Sequence, residues 1–254
     1  MVASFDDARA LDTAFTGAKT LLLLTPPHAR ATEWGSAAVA AAKKAGISRI
    51  VRISAILASA NGPSDNSRQH GRTDDEVRRS GIASVILRPH FFMQNLLADV
   101  DSLRSKGTLY AAAGDASLGM IDARDIADVA RRTLLDSAWD GTSQDLTGPA
   151  SISFHEIVRT LSRLLGREIR YVPITPAALA QSIREMGIGE WFAQVSHDYL
   201  QAYSDGWGDF TTDSVREISG QPARSFAQFA EGVLIPALKA THADAETPVT
   251  RAPS

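Results

Sequence analysis

Residues 83 to 89 read ASVILRP, a run of β-branched and aliphatic side chains closed by proline, and two earlier stretches share that design: TLLLLT at 20 to 25 and RIVRISAI at 49 to 56. Short, almost continuously apolar runs ended by turn residues suit strands buried on both faces. Between the first two lies ATEWGSAAVAAAKKAG (31 to 46), an Ala-rich helical stretch with Thr32 as the expected N-cap and Gly46 as the stop. Between the second and third, RTDDEVRRSG (72 to 81) reads as a polar helix stopped by Gly81. Strands alternating with helices imply right-handed crossovers, so the expected class is α/β with a parallel sheet.

Outward from that unit the pattern is less regular. FDDARALDTAFTGAK (5 to 19) predicts an opening helix capped by Asp6 or Asp7, with Leu11 and Phe15 at helical spacing, and a doubly wound sheet rarely begins on a helix. After Pro89, FFMQNLLADVDSLRSKG (91 to 107) reads as an amphipathic helix and TLYAAAGD (108 to 115) as a short strand and turn. LGMIDARDIADVARRTLLD (118 to 136) reads as a strand entering a helix at Asp122 or Asp125, and SQDLTGP (143 to 149) as another strand. Ser153 and Glu156 form a capping box at the head of the helix that follows. Residues 1 to 150 are expected to form the core and 151 to 238 a smaller, mostly helical C-terminal substrate lobe interleaved with it. The remainder, 239 to 254, has the small, polar, Pro-containing composition of a disordered tail.

The composition excludes several classes of function. With 254 residues and no Cys, the chain has no disulfide scaffold, thiolate nucleophile or sulfur-ligated metal site, and no metal centre is expected. Twenty-six Lys and Arg against 29 Asp and Glu, with no basic stripe, argue against nucleic acid as a partner. TLLLL stops at Thr25, Pro26 and Pro27, far short of the roughly 20 apolar residues of a membrane-spanning helix. The acidic N-terminus does not read as an export signal, so a cytoplasmic protein with a small-molecule substrate, monomeric or homodimeric, is the expectation.

Open parallel sheets bind ligands beyond the carboxyl ends of their strands, which directs attention to Thr25 to His28, Ser54 to Ile56 and Pro89 to Phe92. Two prolines and a Thr, a Ser, then Pro-His-Phe-Phe make a rigid, weakly charged wall that suits a flat aromatic ring, although the same residues also serve simply to end strands. No GxGxxG, GxxxxGK[ST], HExxH or GxSxG motif occurs, and no Tyr is followed four residues later by Lys. His70 could hydrogen-bond a ligand or act as an acid, the competing reading being an exposed loop histidine. Asn95 could point into the crevice or only cap a helix. Asp122 and Asp125 read more readily as helix-capping carboxylates than as a reactive pair, and the aromatic group from Trp191 to Trp207 more readily as core or subunit interface than as substrate pocket.

Five segments taken together carry a resemblance: LLLLTPP, KKAGISRIVRISAI, HGRTDDEVRRSGIASVILRPHFFMQNLL, MIDARDIADVARRTLL and DLTGPASISFHEIVRTLSRLLGREIRYV. From about residue 2 to 235 the chain resembles the NmrA-like, atypical short-chain dehydrogenase-reductases, a group of NAD(P)H-dependent azo-, quinone- and dye-reductases and cofactor-sensing regulators. The resemblance implies NADP or NAD as cofactor. It places Leu24, Thr25, Pro26, Ser54, Ala55, Pro89, His90 and Phe91 around the dinucleotide, His70 and Asn95 at the reacting end, and Phe92 and Trp191 on the substrate side. The activity implied is hydride transfer to a small aromatic, azo or quinone-like acceptor, with a non-catalytic NAD(P)-sensing regulator as the alternative.

One departure stands out. Members of that group begin with a strand, a glycine-rich turn and a helix, and this chain opens near what would be their third strand, so the Rossmann-like sheet that the resemblance implies is expected to be N-terminally incomplete. A start placed too far downstream or a shortened polypeptide is the expected cause, against a natural short protein that has abandoned the dinucleotide. Without a glycine-rich loop at a helix N-terminus, binding of the pyrophosphate is expected to be weak.

Overall fold

A computed structural model describes residues 2 to 240. The opening helix α1 (Ala8–Phe15) is capped by Asp7, whose carboxylate accepts from the backbone of Arg9 and Ala10. Strand β1 (Thr20–Leu23) leads to α2 (Ala31–Ala45), β2 (Arg49–Ile53), α3 (Asp65–Arg79) and β3 (Ala83–Pro89). Residues 93 to 99 form a 3-10 turn that passes into α4 (Val100–Lys106), followed by β4 (Thr108–Ala111) and β5 (Ser117–Leu118). Then come α5 (Ala123–Leu135), β6 (Ser143–Leu146), β7 (Ile152–Ser153), α6 (Phe154–Leu165) and β8 (Arg170–Pro173). Helices α7 (Pro176–Glu185), α8 (Glu190–Ser204), α9 (Ser214–Ser219), α10 (Phe226–Phe229) and α11 (Ile235–Lys239) complete the described chain.

Strands β1, β2, β3 and β6 form one sheet in that order, every neighbouring pair parallel. β4 pairs with β8, and β5 pairs antiparallel with β7, so the segment after β3 is stitched to residues 152 to 173. The sheet is covered on both sides, as the unbroken apolar runs require. Along β2 the side chains alternate: Val51 and Ile53 pack with Val129 and Ile218 of α5 and α9, whereas Ile50 packs with Ala38, Val39 and Val77 of α2 and α3. Arg52 therefore falls on the α2/α3 face. A separate core of Met93, Leu103, Leu109, Phe154, Leu161 and Phe229 joins the 93 to 99 turn, α4, β4, α6 and α10. At the far side of the sheet β1 is an edge strand with Leu22 and the adjoining Leu24 exposed.

Several boundaries depart from the sequence-based expectation, each for a local reason. Thr32 is not the N-cap of α2; Arg30 occupies that place without a side-chain bond, while Gly46 closes the helix in the left-handed region as expected. Helix α3 starts well before residue 72, because Ser64 caps it by accepting from the N–H of Ser67 and the polar stretch DNSRQHG becomes its first two turns. The segment after Pro89 is not one α-helix, since its first half winds as 3-10. Lys239, placed in a tail, ends α11; the rest of the expected tail, from residue 241 on, lies outside the described residues. The capping box of Ser153 and Glu156 forms as read.

Candidate active site

The carboxyl ends of β1, β2 and β3 open into one cleft of about 470 Å³. Leu24 and Thr25 follow β1, Ser54 and Ala55 follow β2, and Pro89 to Phe92 close β3, so three turns distant in sequence share one wall. The opposite wall is α8, which presents Phe192, Val195, Ser196, Tyr199, Leu200 and Tyr203. Asn66 and His70 enter from α3, and Asn95 from the turn after β3. No lining residue is Lys, Arg, Asp or Glu. A groove of about 520 Å³ between α2 and α3 carries Lys43, Arg72, Glu76 and Arg79 and is lined by no residue of the strand ends. The cleft at the strand ends is the stronger candidate on chemical grounds: it is concave, apolar and furnished with a few convergent polar groups.

Below the cleft lies a buried polar network organised by Arg52. Its side chain is only 1% exposed. Nη1 donates to the Leu23 carbonyl at 3.3 Å, and Nη2 donates to Thr25 Oγ1 at 3.4 Å and to His70 Nδ1 at 3.0 Å. Asp74, wholly buried on α3, balances the charge: its Oδ1 is 3.9 Å from Arg52 Nε, and its Oδ2 accepts from Ser54 Oγ at 2.9 Å and from Arg88 at 3.2 Å. Burial lowers the Arg52 guanidinium to about 10, opposed by Asp74, so it remains charged at neutral pH. Burial pushes the Asp74 carboxyl up, while Arg52, Ser54 and Arg88 pull it back. Burial, then the neighbouring Arg52 charge, push His70 down to about 3.

His70 is thus neither in a loop nor exposed. It sits in the middle of α3 and is 8% exposed, with one nitrogen held from behind and its ring on the cleft. A guanidinium has only donors, so Nδ1 must accept and the proton resides on Nε2, which makes the imidazole a neutral donor and removes it as a proton-delivering acid near neutrality. His90 is held even more fully: Phe91 N–H donates to its Nδ1 at 2.7 Å, and its Nε2 donates to the Gly208 carbonyl at 3.0 Å. Only the face of its ring remains for a ligand.

The other expected residues divide. Leu24, Thr25, Ser54, Ala55, Pro89, Phe91, Phe92 and Asn95 all line the cleft. Pro26 and Trp191 do not; their neighbours Pro27 and Phe192 do. Trp191 instead donates from Nε1 to Asp65 Oδ2 at 2.8 Å, anchoring α8 to the first turn of α3. Asp122 caps α5, accepting from Arg124 N at 2.9 Å and from Gln94 Nε2 at 2.9 Å, and Asp125 receives Arg224, so both carboxylates hold structure together. The aromatic group of α8 is not only core: Phe192, Tyr199 and Tyr203 line the cleft, because one side of the helix faces the strand ends. Sequence reasoning also missed Arg52, Asn66, Asp74, Val195, Ser196 and Leu200. The Asn66 Oδ1 and Tyr199 hydroxyl are buried and lack a hydrogen-bond partner among the described residues, although Tyr199 faces Ser64, Asn66 and Ser67. Among those residues no group of three or more His, Asp or Glu could hold a metal ion, and no helix is long and apolar enough to cross a membrane.

The NmrA-like family model matches residues 1–205. The NAD(P)H azoreductase of Xenophilus azovorans is 33% identical over 225 residues, which cover 89% of this chain and 79% of that protein. In fold, the NADPH-dependent quinone oxidoreductase of Escherichia coli, solved with NADPH, superimposes with a TM-score of 0.81 at 23% identity, over 90% of this chain and 81% of that one. The triphenylmethane reductase of Citrobacter sp., solved with NADP(H), gives a TM-score of 0.80 at 19% identity, over 91% and 82% of the two chains.

Proposed function

The chain belongs to the NmrA-like family, and from that premise we propose that it is an NAD(P)H-dependent reductase whose cleft holds an uncharged, planar acceptor of the azo or quinone class. The observation that carries this reading is the lining itself: a slot between Pro89, His90, Phe91 and Phe92 on one side and Phe192, Tyr199 and Tyr203 on the other, with no ionised side chain. Two flat rings stacked in such a slot would be held by apolar burial and aromatic contact, and a formal charge would find no counterion. The names of the azoreductase and quinone oxidoreductase relatives support the same class.

The residues present fit the nicotinamide end of the cofactor, which Pro89, His90, Phe91, Ser54 and Ala55 would flank, with Leu24 and Thr25 along its approach. The lining supplies no Lys, Arg or glycine to hold phosphates, so this cleft is read as the ring site alone. When bound, a reduced nicotinamide supplies a hydride with its electron pair, and the acceptor's heteroatom gains a proton from solvent. His70 Nε2–H and Asn95 would orient the acceptor by hydrogen bonding, and Phe92 with the α8 wall would exclude water and fix the stacking distance. Orientation and desolvation are the catalytic contributions such residues can make.

Calorimetric titration with NADPH, followed by the loss of nicotinamide absorbance with 1,4-naphthoquinone and with an azo dye, tests the reading. Binding with turnover is the expected result. Binding without oxidation by any acceptor would favour a cofactor-sensing role, and absence of binding would overturn the proposal for this polypeptide.

A further inference from the structure

We infer that Arg52 is a positioning residue that locks His70 as a hydrogen-bond donor on the cleft floor, so that the group bound against its Nε2 must be an acceptor such as a carbonyl or carboxamide oxygen. The inference deepens the function proposed above and rests on it for the identity of the ligand, but not for the state of His70. Three observations carry it. One buried nitrogen, Arg52 Nη2, reaches both His70 Nδ1 at 3.0 Å and Thr25 Oγ1 at 3.4 Å. A guanidinium can only donate, so each contacted atom must offer a lone pair; the imidazole then keeps its one hydrogen on Nε2 for the cleft that both residues line, whereas the Thr25 hydroxyl retains a second lone pair and can serve either way. Arg52 itself cannot swing away, being tied to the Leu23 carbonyl and paired with the buried Asp74.

The lock also explains why a charge sits beneath an apolar site. An unassisted imidazole exchanges its proton between two nitrogens and can face a ligand as donor or acceptor. Against a fixed guanidinium one tautomer is strongly favoured, because an Nδ1–H would meet an N–H of Arg52. The floor then discriminates before any ligand arrives: a group that accepts gains a hydrogen bond, whereas a group that only donates, such as an ammonium, leaves the Nε2 hydrogen unpaired.

The test is the tautomer of His70, read by long-range proton–nitrogen NMR on the full chain labelled with nitrogen-15, in three proteins. The wild type is expected to show a single neutral form protonated at Nε2. Arg52→Lys keeps a donor-only side chain and should retain that form, whereas Arg52→Gln can donate or accept and should let the Nδ1–H form appear. Loss of buried packing alone would not separate the two variants in this way. Affinity for 1,4-naphthoquinone, followed by quenching of Trp fluorescence, should stay near wild type in Arg52→Lys and fall about fivefold in Arg52→Gln, the worth of one neutral hydrogen bond. A wild-type His70 protonated at Nδ1, or charged near neutrality, overturns the inference whether or not the variants fold, as does an Arg52→Gln spectrum identical to wild type. If the quinone binds none of the three while the Nε2–H form holds, the lock stands and the acceptor class proposed above is what fails.

Discussion

Trp191 Nε1 donates to Asp65 Oδ2 across 2.8 Å, and this bond joins the head of α8, one wall of the cleft, to the first turn of α3, which carries Asn66 and His70. The two residues are 126 apart in sequence. Asp65 also accepts from Gln69 and lies near Arg68 and Arg72; although burial pushes its carboxyl up, these donors and charges together hold it below the usual carboxylate range. Two elements that line the cleft are thus joined by a contact that no residue lining the cleft makes.

Trp191→Phe keeps the ring and removes the donor. We expect a loss of about 1 kcal/mol, read as a drop of roughly 3 °C in thermal midpoint. Quinone KM should rise more than kcat falls, because the change loosens a wall and removes no reacting group; an unchanged KM would show that the bond does not set the cleft.

The two buried histidines make stability depend on pH. His90 is pushed down to about 4 by burial, against the pull of the Gly208 carbonyl, and His70 to about 3 by burial and Arg52. Unfolded, each would titrate near 6.5. Between those values the unfolded chain binds more protons than the folded one, so stability is complete above about pH 6.5 and declines as pH falls. Each histidine should contribute a slope approaching about 1.4 kcal/mol per pH unit in that window. Urea titrations over the window should show His70→Gln removing one such increment; a slope equal to wild type would mean that His70 is already charged in the folded protein.

Gly71 follows His70 on α3, and a Cβ there would lie 2.4 to 2.8 Å from the backbone of Ser59. The obstacle is main chain, in the segment just beyond Leu57, whose φ of 47° is already in the left-handed region. Gly71→Ala should cost about 2 to 3 kcal/mol through overpacking and weaken ligand binding by shifting α3; denaturant midpoints close to wild type would refute this.

Tyr199 carries a buried hydroxyl with no hydrogen-bond partner among the described residues. Tyr199→Phe should leave stability unchanged or raise it by up to about 1 kcal/mol, since no bond is lost. If that hydroxyl pairs with the acceptor, naphthoquinone affinity should fall about fivefold in the same variant. Stability and binding moving in opposite directions would identify a group kept for function.

Much of the site was legible because its makers are local. A strand ended by Pro-His-Phe-Phe announces both the strand and what stands at its mouth, and Leu24, Thr25, Ser54, Ala55 and Pro89 to Phe92 line the cleft where strand ends predicted them. Asp122 was likewise readable as a cap from its place before a helical run. The start of α3 was not, because DNSRQHG is too polar to show an apolar period, and with it went the setting of His70. Trp191 and Phe192 could not be told apart for a similar reason: adjacent helical residues point about 100° apart, and only the neighbours decide which of them faces the cleft.

An α/β chain with a parallel sheet, and the turn chemistry of its strand ends, follow from local sequence, since hydrophobic period, proline and caps act over a few residues. The burial of Arg52 follows only from how distant segments pack. In sequence it is one cation in an apolar strand; in the fold Asp74 from α3 balances it, and Thr25 and His70 receive its hydrogen bonds. Whether a charge can be buried depends on partners and on exclusion of water, and both are supplied by residues distant in the chain.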